Sequence, residues 1–340
     1  MKKDPILQKK KFFSATCSKK KNKDQIKIND IECFLHTSTK SNNDKYNKIR
    51  EKIICSILNE DKEITKFLKD ERWIKLKNSI ICFLENLCKD KIKTIKCELK
   101  AGRKYNYDFK ITINKKPYNI EFKFNIERVD DSPQFVSVIK PGKYFLLKYE
   151  EFFYDNYLST IVDLTDFPKP DRDTYLKQIN STNPECMIPF KKLYKEKGDF
   201  YRKCKEISKQ SIEHFLKKYT LQTDELSEYL KNTQKDKHYM CYKDGKFFYD
   251  SISKDTFNLC KNPTVKCPNL ICNTKNKKKL EIKLRWKNGN GIAFPAFQIK
   301  RFIPNVNILK ELLKINKIPL PKKKLKNDIL SELDKNNIIY

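Results

Sequence analysis

Glycine is scarce in this 340-residue chain (six residues), and only eight of its 74 cationic side chains are arginine. That scarcity, beside abundant Lys, Asn and Ile, is the bias an AT-rich genome produces, as in many large DNA viruses and some protists. Part of the positive charge therefore reflects codon usage. No apolar run reaches the roughly 18 residues a membrane span requires, which excludes a transmembrane helix. The N-terminal stretch MKKDPILQKKKFFSATCSKKKNK is basic but has no continuous apolar core of secretory length. A soluble intracellular protein with reduced thiols is expected, cytoplasmic or packaged in a virion if viral. The twelve cysteines form no regular framework, and no C-x₂-C pair occurs among them. Cys260, Cys267 and Cys272, with His238 and Cys241 upstream, are the set that would gather around zinc, and the missing pair spacing argues against it. No internal repeat is visible.

What the chain does have is charge and enough apolar residues for a core. Hydrophobic residues make up 39% and aromatics 12%, so a chain of this length folds rather than staying disordered. The net charge of +31 makes polyanions the natural partners, because Lys and Arg release counterions from a phosphate backbone. DNA, duplex or branched, is the expected partner, with RNA left open, no membrane, and a homodimer compatible with the sequence. Residues 1–24 read as a flexible basic arm, 25–167 as an α/β core, and 185–340 as a helical and β-hairpin region. The Pro-, Asp- and Asn-rich stretch from Pro168 to Pro184 is the boundary.

The most specific segment is Tyr105 to Asn125, YNYDFKITINKKPYNIEFKFN. Tyr107, Phe109, Ile111 and Ile113 alternate with Asp108, Lys110 and Thr112. Tyr118, Ile120, Phe122 and Phe124 then alternate with Asn119, Glu121 and Lys123. Period two on both sides of a turn at Asn114–Pro117 predicts a hairpin with one apolar and one polar face. If residue 113 pairs with 118, Phe109 faces Phe122, Ile111 faces Ile120 and Tyr107 faces Phe124. Asp108 then lies opposite Lys123, with Glu121 one pleat away. A slip of one residue would bury the charged set, so the pattern selects this parity.

Asp108 on one strand, followed by Glu121-Phe122-Lys123 on the next, resembles the core hairpin of the PD-(D/E)xK nuclease superfamily, with Tyr107 in place of the usual proline. The resemblance covers about residues 72–165 and implies a restriction-endonuclease-like core, a mixed β-sheet flanked by helices. It implies a metal-dependent DNA endonuclease using Mg²⁺, with Mn²⁺ able to substitute. Asp108 and Glu121 would be its hard oxygen ligands, and Lys123 would orient water or neutralise phosphate. It also implies an additional acid on the preceding helix, matched by Glu85, and a glutamine after the lysine, matched by Gln134. The bland reading makes the same residues cross-strand ion pairs on a solvated sheet face, each contributing about 0–1 kcal/mol.

Elsewhere, residues 44–59 and 72–89 fit amphipathic helices, the second with a stripe of Trp73, Leu76, Ile80, Phe83, Leu84 and Leu87. A strand at Ile95–Leu99 and the turn Ala101-Gly102-Arg103 lead into the hairpin. A strand near Pro133–Val138 and a helix over 143–158 are expected to complete the core. Helices follow at 198–219 and 224–233, then a hairpin around Asp244-Gly245. A second alternating pair lies at 280–302, and two short helices near 306–314 and 324–335. Glu281-x-Lys283 repeats the carboxylate–lysine spacing but lacks a partner acid at matching parity, so it is rejected as the catalytic pair. Arg103 and Lys104 near the hairpin, and Lys283, Arg285 and Lys287 on the second β-pair with Gln298 and Lys300 opposite, are the expected nucleic-acid contacts. The alternative is a non-catalytic nucleic-acid-binding or virion-packaged protein that keeps a nuclease-like fold.

Overall fold

Two five-stranded sheets, each with helices on its apolar face, organise the chain into a mixed α/β protein. The computed structural model describes residues 25–36, 43–100, 105–126, 128–131, 136–321, 325–336 and 338. The basic arm, Arg103, Lys104 and Gln134 lie outside the described residues.

The first sheet has the strand order β1-β2-β3-β5-β6, formed by β1 (Ile95–Leu99), β2 (Phe109–Ile113), β3 (Lys116–Phe124), β5 (Lys237–Lys243) and β6 (Lys246–Asp250). All neighbours are antiparallel except β3 and β5, which run parallel. Short α1 (Glu32–Leu35), α2 (Asn43–Leu58), short α3 (Lys62–Thr65) and α4 (Glu71–Cys88) belong to this half, with α2 against β1 and α4 against β6. The expected stripe on α4 is core: Trp73, Leu76, Ile80, Phe83 and Leu84 are all buried. Asp70 caps this helix by accepting from the Arg72 amide at 2.9 Å, and Lys89 ends it in the left-handed conformation. Ile53, Ile54, Ile57 and Leu58 of α2 join it over Phe109, Ile111, Ile120 and Phe122.

The hairpin has its expected faces but a different register. Ile113 pairs with Lys116 and Phe109 with Ile120, two residues away from the expected match. The turn is the two-residue Asn114-Lys115, at φ of 46° and 69°, rather than four residues ending at Pro117. Two consecutive positive φ values match the twist of the flanking strands. The Asn114 side chain steadies the turn by accepting from the amides of Lys93 and Thr94. Pro117 therefore sits inside β3, before pairing with β5 begins at Asn119, so its missing N–H interrupts no bond to β5. Because the slip is an even number, no side chain changes face.

The second sheet is antiparallel throughout, in the order β4-β10-β9-β8-β7. Its strands are β4 (Val136–Ile139), β7 (Thr264–Lys266), β8 (Asn269–Asn273), β9 (Lys279–Trp286) and β10 (Pro295–Arg301). Leu280, Ile282, Leu284 and Trp286 of β9 face a core built with α5 (Tyr149–Phe153), α6 (Ser159–Val162), α7 (Arg172–Gln178), α8 (Ile188–Lys195), α9 (Asp199–Lys218) and α10 (Thr223–Gln234). A π-helical turn, Tyr154–Leu158, joins α5 to α6. Gly291, at φ 74°, closes the β9–β10 connection where a Cβ would collide with Phe153 and Ile161, so glycine is required there. The α11 (Val306–Ile315) and α12 (Lys326–Lys335) pair through Leu309, Leu313, Ile329 and Leu333.

The strand expected to complete the first sheet does not do so. β4 pairs with β10 in the second sheet, and the place beside β3 belongs to β5, from beyond the Pro168–Pro184 stretch. The two sheets thus exchange strands across that stretch, which itself contains α7. Among the described residues no helix is long and apolar enough to cross a membrane.

Candidate active site

Asp108 is held just before β2 by its own backbone. Its amide donates to the Ile120 carbonyl at 2.9 Å, and its Oδ2 accepts from the Phe122 amide at 2.8 Å. Ile120 is already the partner of Phe109, so Asp108 is an extra residue at the end of the β2–β3 ladder, and its carboxylate is held at the Phe122 amide rather than opposite Lys123. There the Glu121 carboxylate is near enough to act on the charge of Asp108.

Around Glu121 the charges alternate. Lys123 Nζ donates to Glu121 Oε1 at 2.7 Å, and Lys237 Nζ, from β5, reaches Oε2 at 3.5 Å. The side chains of Glu121, Lys123 and Lys237 are 16%, 15% and 6% exposed, so this is no solvated sheet face. In register beside Glu121 and Lys123 stand Tyr239 and Cys241, which with Val129 form a small apolar cluster on that side of the sheet.

Burial and mutual repulsion set the protonation of the acids. Burial, then the Glu121 carboxylate, pushes the Asp108 carboxyl up to about 6, against the Phe122 N–H and the two lysines. Burial acts the same way on Glu121, but Lys123 and Lys237 outweigh it and hold Glu121 below its usual range. Lys123 is buried too, yet Glu121 and Asp108 keep its ammonium above the ordinary value. For Lys237, burial and the neighbouring Lys123 prevail and lower it. A third acid belongs to this field: Glu51 on α2, whose carboxyl is raised to about 8 by burial and then by Asp108 and Glu121. Acids whose pKa is raised by burial and a neighbouring carboxylate are a recognised mark of functional clusters.

Sequence reasoning placed the additional acid at Glu85. That residue lies on the last turn of α4, where its carbonyl accepts from the Lys89 amide, and among the described residues no hydrogen bond or ion pair joins it to the cluster. Glu51 was missed because its helix offers only an apolar stripe to read, and nothing in spacing says which polar residue of α2 looks toward the hairpin. Lys237 was missed because the β3–β5 pairing joins segments far apart in sequence.

On β9, Lys283 is exposed and Arg285 half-buried, as is Lys287 just past the strand. Gln298 pairs with Lys283 in the register and accepts from Arg285 Nη1 at 2.8 Å, and Lys287 Nζ donates to Ser137 Oγ at 2.6 Å. Glu281 forms a cross-strand pair with Lys300 at 3.2 Å. The cysteines offered for zinc are dispersed: Cys241 lies in the first sheet, Cys272 is buried in the second, and Cys260 is exposed. Among the described residues no three His, Cys, Asp or Glu side chains stand close enough to enclose an ion by themselves. No protein-family model, curated protein or solved structure matches the chain.

Proposed function

We propose that this chain is a metal-dependent DNA endonuclease whose active centre is Asp108, Glu121 and Lys123. The observation that supports this most is the enclosure of the cluster: the Glu121–Lys123 pair is largely withdrawn from solvent, with the half-buried Asp108 carboxylate held close by on the Phe122 amide. An exposed ion pair contributes little and has no reason to be sheltered. The order of helix followed by three consecutive antiparallel strands agrees with the fold that the resemblance implies.

The donor set fits a hard cation. Mg²⁺ is typically held by one or two carboxylates, several waters and substrate phosphate oxygens rather than by an all-protein cage. Two adjacent carboxylates without a complete cage are what such a site needs from the protein. Asp108 and Glu121 would hold Mg²⁺ or Mn²⁺, which when bound supplies Lewis acidity and a more acidic water. The Phe122 amide fixes Asp108 through Oδ2. Lys123, anchored on Glu121, places a positive charge where a phosphodiester gains negative charge during cleavage. The face of Lys283, Arg285, Lys287 and Lys300 would grip the phosphate backbone away from the scissile bond.

Plasmid nicking by the wild type in Mg²⁺ and in EDTA, beside Asp108→Ala and Lys123→Ala, tests the proposal. Cleavage is expected only for the wild type in Mg²⁺. Full activity in both variants, or DNA binding without cleavage of duplex, branched or single-stranded substrates, would overturn it.

A further inference from the structure

Glu121 carries two ammonium groups where the Glu-x-Lys spacing accounts for one. Lys237, the first residue of β5, is the more deeply enclosed of the two lysines, at 6% exposure. A buried ammonium is unfavourable unless acceptors meet its protons. Besides Glu121 Oε2 at 3.5 Å, its acceptor is the backbone carbonyl of Asn106 at 2.8 Å. Asn106 lies two residues before Asp108, and its own side-chain amide donates to the Thr233 carbonyl near the end of α10. Lys237 therefore ties together the segment that carries Asp108, the Glu121 carboxylate and the third strand of the site.

The two contacts on Glu121 are unequal. Lys123 holds Oε1 at 2.7 Å, whereas Lys237 stands 3.5 Å from Oε2 and has its shorter bond elsewhere. A cation entering between Asp108 and Glu121 requires a Glu121 oxygen, and the looser contact is the one that can yield without losing its anchor.

We propose that Lys237 is a positioning residue that serves as an exchangeable counter-ion: it holds Glu121 and the Asp108 segment in place before metal binding, then cedes Glu121 Oε2 to the divalent ion. This rests on the metal-dependent reading above. It predicts opposite effects on two readouts. An ammonium beside a divalent ion opposes its binding, so Lys237→Met should bind Mn²⁺ about tenfold more tightly or better. The same variant should cleave more slowly, because Glu121 and the Asp108 segment lose their tie. A purely structural lysine would weaken both.

Mn²⁺ binding to the full chain, without DNA, is measured by electron paramagnetic resonance beside single-turnover plasmid cleavage. Wild type, Lys237→Met, Lys237→Gln and Lys237→Arg are compared, with circular dichroism to confirm folding. The expected result is tighter Mn²⁺ binding with slower cleavage in whichever neutral variant folds, and near-wild-type Mn²⁺ affinity in Lys237→Arg. Mn²⁺ affinity unchanged or weakened in a folded neutral variant overturns the counter-ion role. No Mn²⁺ uptake by the wild type overturns the metal-dependent reading and this inference with it.

Discussion

β3 and β9 carry almost the same tripeptide, Glu121-Phe122-Lys123 and Glu281-Ile282-Lys283, in strands with the same alternation. In both, the middle residue points into a core: Phe122 is 6% exposed and Ile282 fully buried. The flanking charges fare differently. On β3 the glutamate and lysine bond each other, sheltered, with Asp108 across the hairpin and Lys237 on the parallel neighbour. On β9 the glutamate pairs with Lys300 of the next strand and Lys283 stays exposed. A carboxylate–lysine spacing thus becomes a candidate site only when the adjacent strands supply a second acid and enclose the set. Neighbours, rather than the motif, separate the two.

The largest effect that would break this contrast is on turnover. Asp108→Ala and Lys123→Ala should each reduce Mg²⁺-dependent nicking by about a thousandfold or more, the scale seen when a preorganised charge is removed from a reacting centre. Glu281→Ala should leave the rate within about twofold, since its carboxylate pairs with Lys300 in the other sheet, apart from Asp108 and Glu121. Initial nicking rates on supercoiled plasmid decide the matter, and equal losses at Glu121 and Glu281 would erase the distinction between the strands.

The middle residues should behave alike. Phe122→Ala is expected to cost about 3–5 kcal/mol and Ile282→Ala about 2–5 kcal/mol, because both leave cavities in packed cores. Urea denaturation followed by circular dichroism measures both. If one were neutral, the claim that both sheets bury this position equally would fail.

Much of this was legible in sequence because alternation reports faces. The pattern at 105–125 identified the hairpin's own side chains that pack under α2 and α4, Phe109, Ile111, Ile113, Tyr118, Ile120 and Phe122, and the stripe Trp73, Leu76, Ile80, Phe83, Leu84 identified the helix above. Alternation does not report neighbours. Nothing local says that Lys237 begins the strand beside β3, or that Val136–Ile139 leaves for the other sheet. The register was missed by two because Asn114-Lys115 forms a tight turn without the glycine that usually announces one. Glu51 was hidden for a related reason: its electrostatic tie to Asp108 and Glu121 depends on how α2 crosses the sheet, a tertiary fact.

Protonation gives a subtler contrast. The raised carboxyls of Glu51, to about 8, and Asp108, to about 6, mean that the folded protein holds protons the unfolded chain has already released. Stability from these two groups is present at acidic pH and falls as pH rises from about 4.5 toward 8. Glu121, held low by its lysines, works the other way and loses its contribution in acid. Glu51→Gln should therefore be more stable than wild type at pH 8, by about 1–3 kcal/mol, and nearly equal at pH 5. Denaturation midpoints at the two pH values measure this. Mg²⁺ should shrink the wild-type deficit at pH 8, since a cation favours the ionised carboxylates.

The smallest effect belongs to β9. If its outer face grips phosphate, Lys283→Ala should weaken DNA binding modestly and uniformly across sequences, lowering the slope of log affinity against log salt by about one. The exposed position of Lys283 means that little else changes: its removal leaves Arg285 on Gln298 and Lys287 on Ser137. Cleavage of substrate already bound at saturating protein should proceed at the wild-type rate. Fluorescence anisotropy over a range of salt, in Ca²⁺ to prevent turnover, separates this from general charge loss, because Lys75→Ala on the outer side of α4 supplies the same change in net charge away from β9. Equal salt slopes for the two variants would mean that β9 contributes only bulk charge, and the contrast between the strands would then be one of a site against an ordinary surface.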